Sequence, residues 1–86
     1  MFPNIEFNEA AFRHGLTEDN IRYVLQHPLR EKLIEGYQNK WMVIGYDANA
    51  NLIEIAYNIV DNDTVNVFHA MPLRSIYFPL LNQWRN

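Results

Sequence analysis

The residues best suited to chemistry lie in one stretch, Val65-Asn66-Val67-Phe68-His69-Ala70-Met71-Pro72-Leu73-Arg74. It reads as a short strand running directly into a helix. Val65, Val67 and His69 alternate onto one face of that strand, with Asn66, Phe68 and Ala70 on the other. Pro72 suits the first helical position, where its missing N–H costs nothing and its φ is already helical. Arg74 then leaves from the first turn, so an imidazole at a strand end and a guanidinium on the next turn come side by side. An imidazole exchanges protons near neutrality, and a guanidinium grips anionic oxygens through paired hydrogen bonds. The pair therefore suits proton transfer beside a bound anion. The competing expectation is structural: a core histidine bonded to backbone, and an arginine paired with a local carboxylate.

Other candidates must be brought to this junction by the fold. Arg13 and His14 precede Gly15 and can complete a site from the N-terminal side; equally, they are cations at a helix C-terminus, where the dipole favours them by roughly 0.3–1 kcal/mol. Lys40 can contact a phosphate and Tyr77 can donate a proton, or they are a solvated strand lysine and a core tyrosine. Trp41 and Trp84 can stack on bases. Tyr37, Trp41, Tyr46, Tyr57 and Phe68 fall on successive strands, so cross-strand pairing also accounts for such aromatics. His14, His27 and His69 are too scattered to suggest a metal site, and no cofactor is expected. Asp61-Asn62-Asp63 opens like a calcium loop but lacks the later glycine and glutamate. The sequon Asn62-Asp63-Thr64 has no secretory signal to give it meaning.

Composition narrows the class. The chain has 86 residues, 49% of them hydrophobic and 14% aromatic, which supports one domain with a modest core. With no cysteine, disulfides, thiolate metal sites and cysteine nucleophiles are excluded. A formal charge of −3 argues against broad, non-specific nucleic-acid binding while leaving room for a small basic site. The N-terminus lacks the features of a signal peptide and no apolar run is long enough to cross a bilayer, so a cytoplasmic location is expected.

The elements that position these residues can be read in order. Ile5-Glu6-Phe7 is an extended lead-in. Asn8 caps a brief helix over residues 9–14, which Gly15 closes. Thr17 caps a second helix, with Glu18 and Asp19 in its first turn and Leu16 stapled to Ile21. Ile21, Val24 and Leu25 form its buried stripe, and His27-Pro28 ends it. Arg30 to Gly36 reads as a partly exposed strand, Lys40 to Tyr46 as a firm one, and Asp47 to Asn51 as a hairpin loop. Leu52 to Val60 places Ile53, Ile55, Tyr57 and Ile59 on one face and Glu54 and Asn58 on the other, the pattern of a half-buried antiparallel strand. After the turn at 61–63 and the Val65–Met71 strand comes a helix with Leu73, Ile76, Tyr77, Leu80 and Trp84 on one face, interrupted at Pro79. The expected class is α+β: two short N-terminal helices, an antiparallel meander of three to four strands, and a C-terminal helix, with the helices on one side.

Arg13-His14-Gly15-Leu16, Asp19-Asn20-Ile21-Arg22 and Val67-Phe68-His69-Ala70-Met71-Pro72-Leu73-Arg74 fall in the order and spacing of a known pattern. The chain resembles the BrnT-like toxins, small members of the RelE/ParE superfamily of bacterial toxin–antitoxin systems. The resemblance runs over nearly the whole chain through short motifs. It implies a RelE-like fold, a metal-independent ribonuclease that cleaves messenger RNA through its 2′-hydroxyl, and a cognate antitoxin as partner, with homo-oligomers possible. On that reading His69 and Arg74 are catalytic, and Arg13, His14, Lys40 and Tyr77 bind substrate. The family's motif is usually followed by arginines and lysines; here the positions hold Ser75, Ile76, Tyr77, Phe78 and Pro79. The alternative is a non-catalytic protein-interaction domain on the same fold.

Overall fold

The computed structural model describes residues 3–82 and shows an α+β fold built on one mixed sheet. Its strands are β1 (Asn4–Phe7), β2 (Arg30–Leu33), β3 (Lys40–Tyr46), β4 (Leu52–Asp61) and β5 (Thr64–Pro72), in the order β1-β5-β4-β3-β2. The antiparallel meander expected from the alternating pattern is present as β2 to β5. The lead-in is more than extended chain. As β1 it pairs parallel with β5, placing Ile5 beside Val65 and Phe7 beside Val67, so the sheet has five strands and is mixed. Four residues alternating between exposed and half-buried are too short a run to announce a strand by themselves.

The first helical segment is a single 3-10 turn, Glu9–Phe12, capped by the Asn8 side chain and followed by Gly15 at φ 85°. Its Ala11 is wholly buried. α1 (Glu18–Gln26) starts at Thr17 as expected and has a full capping box. The Asn20 backbone N–H donates to Thr17 Oγ1, and the Thr17 backbone N–H donates to Asn20 Oδ1. Ile21, Val24 and Leu25 then pack on Val43, Ile53, Ile55, Tyr57, Val65, Val67 and Ala70, the inner face of the sheet. Gly45 lets α1 approach, since a Cβ there would sit 3.0 Å from the His27 carbonyl oxygen and 3.2 Å from Val24 Cγ1.

The C-terminal segment departs furthest from expectation. Pro72 ends β5 rather than opening a helix, and Leu73 N–H still donates to Leu52 O. The helical region begins later, as a 3-10 turn at Ser75–Tyr77 followed by α2 (Phe78–Asn82), with Pro79 tolerated in the first turn. This segment meets the outer face of the sheet, opposite α1. Arg74 binds Glu54 there, and Met42 lines one shallow groove of about 430 Å3 with Leu33, Tyr77 and Leu80. The helices thus lie on both faces, correcting the one-sided arrangement, because β4 offers a second buried face that its alternation does not reveal. Trp84, expected on the terminal stripe, lies outside the described residues. Among those residues no helix is long and apolar enough to cross a membrane.

Gly45→Ala is expected to lower stability by about 1–3 kcal/mol, because the added methyl meets backbone that cannot easily give way. Thermal unfolding followed by circular dichroism measures it; an unchanged midpoint would show that α1 can shift outward freely.

Candidate functional site

The site exists because β5 is irregular. Opposite β4 the register runs Tyr57 with Val67, then Ala56 with His69, leaving Phe68 as an extra residue in a β-bulge. Simple alternation puts His69 on the face of Val65 and Val67. The bulge reverses this: Ala70 takes the inner, core position opposite Ile55, and His69 turns to the outer face with Ala56. The expectation that His69 shares the core face of Val65 and Val67 is therefore corrected.

On that outer face lies Glu54, the residue that alternation placed toward solvent and that is 0% exposed. Its carboxylate is fully engaged. Arg74 donates its backbone N–H to Oε1 at 2.9 Å, Nε to both oxygens at 3.2 and 3.1 Å, and Nη2 to Oε2 at 2.7 Å. His69 Nε2 lies 2.9 Å from Oε2. Burial is the largest influence on the Glu54 carboxyl and pushes its pKa up. The side-chain and backbone hydrogen bonds of Arg74, the bond to His69 and the Arg74 charge outweigh it and hold the group below its ordinary range. The hydrogen bond to Glu54 in turn raises the Arg74 guanidinium, against a smaller opposing effect of burial.

Ionised Glu54 can only accept hydrogen bonds, so His69 Nε2 carries the proton in this contact. In the neutral ring, Nδ1 then holds the lone pair. The His69 side chain is 28% exposed and that of Arg74 45%, so both reach solvent from a buried anchor. The expected side-by-side pairing of His69 and Arg74 is present, arranged around a shared carboxylate. Glu54 itself was not among the sequence candidates. A glutamate alternating with Ile53, Ile55 and Tyr57 looks like a solvent-facing residue; the signal against that is Ile44 and Ala56, apolar residues on the same face.

Of the remaining candidates, His14 comes to the junction and Lys40 does not. The His14 ring lies edge-on to that of His69, with centroids 6.0 Å apart at 73°. Arg13, exposed, adjoins it in the chain at the C-cap of the 3-10 turn. Tyr77 lies on the other side of Arg74, its ring 5.2 Å from the guanidinium carbon and its hydroxyl 3.5 Å from Nη2. Lys40 sits over the rings of Tyr37 and Phe68, at 4.2 and 5.5 Å, toward the far end of β3. Trp41 pairs with Tyr57 across β3 and β4, so it is part of the sheet. Among the described residues no group of acidic or histidine side chains could hold a metal ion. No protein-family model and no curated protein matches the chain.

Because the Glu54 carboxyl is depressed in the fold, its stabilisation is complete above the unfolded carboxyl range, about pH 4, and is lost as pH falls through the folded value. Glu54→Gln is expected to cost about 2 kcal/mol at neutral pH, roughly 10 °C in midpoint, and to flatten the decline in acid. Urea unfolding at pH 7 and pH 3 measures both; an unchanged acid slope would mean that other carboxylates set it.

Proposed function

We propose that this chain is the toxin of a bacterial toxin–antitoxin pair, a BrnT-like, metal-independent ribonuclease with a RelE-like sheet. The observation that carries the reading is His69 held through Nε2 by a wholly buried, ionised Glu54 that also anchors Arg74. A carboxylate behind an imidazole sets its tautomer and stabilises the charge it acquires on taking a proton. His69 Nδ1 is then a general base for a ribose 2′-hydroxyl. Glu54 engages Nε and Nη2 of Arg74, which leaves Nη1 on the half-exposed guanidinium to meet the phosphate and the charge that builds on it. Glu54 positions both groups without touching substrate. Arg13 adds positive charge from the N-terminal turn, and Lys40 with the Phe68 and Tyr37 rings offers a cation and aromatic faces further along the strand.

The motif order, from Arg13-His14-Gly15 to His69-Ala70-Met71-Pro72-Leu73-Arg74, supports the same reading, as does the α+β sheet that joins the two ends. With net charge −3, RNA would be gripped locally rather than along a broad basic face, and the cognate antitoxin would present basic residues to the acidic body. Two observations favour the alternative of a non-catalytic interaction domain: Glu54 occupies part of the Arg74 guanidinium, and no run of arginines follows it.

Induced expression in bacteria, together with cleavage of single-stranded RNA in EDTA, tests the proposal. The wild type is expected to arrest growth and cut RNA without metal. His69→Gln keeps an N–H donor where Nε2 sits, so it should fold normally and lose cleavage by on the order of 10²-fold or more. Abundant, folded wild type that neither arrests growth nor cuts RNA would sink the ribonuclease reading and leave the interaction domain.

A further inference from the structure

The parallel pairing of β1 stops early. It matches Asn4–Phe7 to Thr64–Val67, and the Asn8 N–H donating to Val67 O closes it. Beyond Val67 no described strand flanks the outer side of β5, and the 3-10 turn Glu9–Phe12 packs there instead. That turn is well anchored. Ala11 is buried in the core, Phe12 stacks on Phe7 with centroids 5.6 Å apart, and the Asn8 side chain accepts from the Ala10 N–H. Gly15, at φ 85°, then turns the chain back toward α1. The outcome is that exposed His14, from the far end of the chain, stands edge-on to His69 around the open end of the sheet.

Resting on the ribonuclease reading above, we infer that His14 is a second catalytic histidine, the general acid that complements His69 as general base. The two imidazoles differ in a way that assigns these roles. His69 donates its Nε2–H to Glu54, which leaves Nδ1 as acceptor. His14 is exposed to solvent and has no carboxylate partner among the hydrogen bonds and ion pairs of the described residues. In transfer from a 2′-oxygen, the attacking and leaving oxygens stand on opposite sides of phosphorus. Base and acid must then be separate groups about a phosphate's width apart, each within about 3 Å of its own oxygen. Two rings with centroids 6.0 Å apart and nearly perpendicular suit that requirement, with Arg74 beside His69 on the shared Glu54 carboxylate for the non-bridging oxygens.

The step balances without metal or co-reactant. His69 Nδ1 takes the 2′-hydroxyl proton as the 2′-oxygen bonds to phosphorus. The bond from phosphorus to the 5′-oxygen breaks, and that oxygen keeps the electron pair and takes a proton from the His14 imidazolium. The products are a 2′,3′-cyclic phosphate and a free 5′-hydroxyl. His69 ends protonated and His14 neutral, and exchange with water resets both. Tyr77 is a poorer donor by position, since its hydroxyl sits against Arg74 rather than across from His69.

A short RNA with one mapped cleavage site, made with either oxygen or sulfur as the 5′ leaving atom, tests this, because sulfur departs without a proton. His14→Ala should keep the wild-type melting point, since His14 is exposed on a turn. It is expected to cut the oxygen substrate about 10²-fold or more slower than wild type and to approach wild-type rate on the sulfur substrate. His69→Gln should be slow on both. A His14→Ala rate equal to wild type on oxygen, or equally reduced on both substrates, would overturn the acid role while leaving the ribonuclease reading intact. A wild type that cuts neither substrate would overturn the ribonuclease reading, and the inference with it.

Discussion

A charge placed where no water reaches it must be met by the protein, and in this fold that charge is Glu54. Isolated, a buried carboxylate would cost several kcal/mol. Here it meets a backbone N–H, a guanidinium in two places and an imidazole. Among the described residues no buried side-chain nitrogen or oxygen lacks a partner. Much follows from this. The chain after β5 must turn so that the Arg74 N–H and side chain both reach Glu54, which brings the C-terminal segment onto the outer face. The same carboxylate decides which nitrogen of His69 carries the proton. A structural requirement and a chemical asymmetry share one residue.

The bulge at Phe68 is what makes the arrangement possible. Had β5 kept strict alternation, His69 would have pointed among Val65 and Val67, and Ala70 would have left the core. One extra residue exchanges these places: a small apolar side chain goes inward and a titratable one outward. Bulges carry a local loss of pairing, and this one lies where β1 has ended and the edge is open to the N-terminal turn. The site is therefore built at the sheet's irregular corner from segments far apart in sequence: His14, Glu54, His69 and Arg74.

On the ribonuclease reading proposed above, an acidic chain with Arg13 and Arg74 at one corner would meet a few phosphates rather than bind a nucleic-acid surface continuously. Steering by a broad field would require clustered lysine and arginine, which the composition lacks. On that same reading, specificity would come from close contacts, with Arg74 tethered by Glu54 and the Phe68 and Tyr37 rings near Lys40.

What the sequence determined by itself is what depends on local rules. Asn8 and Thr17 cap their turns because short polar side chains reach the first free N–H groups. Asp47, buried at the β3–β4 turn, accepts from the N–H groups of Asn49 and Asn51 as turn composition implies. The alternation of Ile53, Ile55 and Tyr57 identified the inner face of β4, and His69 and Arg74 were legible as neighbours. Only the tertiary structure decided the rest, since each part depends on residues distant in sequence. Whether residues 4–7 form a strand depends on β5 being there to pair. Whether Glu54 meets solvent or an arginine depends on which face the C-terminal segment covers. And the face His69 occupies depends on a register shift against β4, which no pattern along β5 alone encodes.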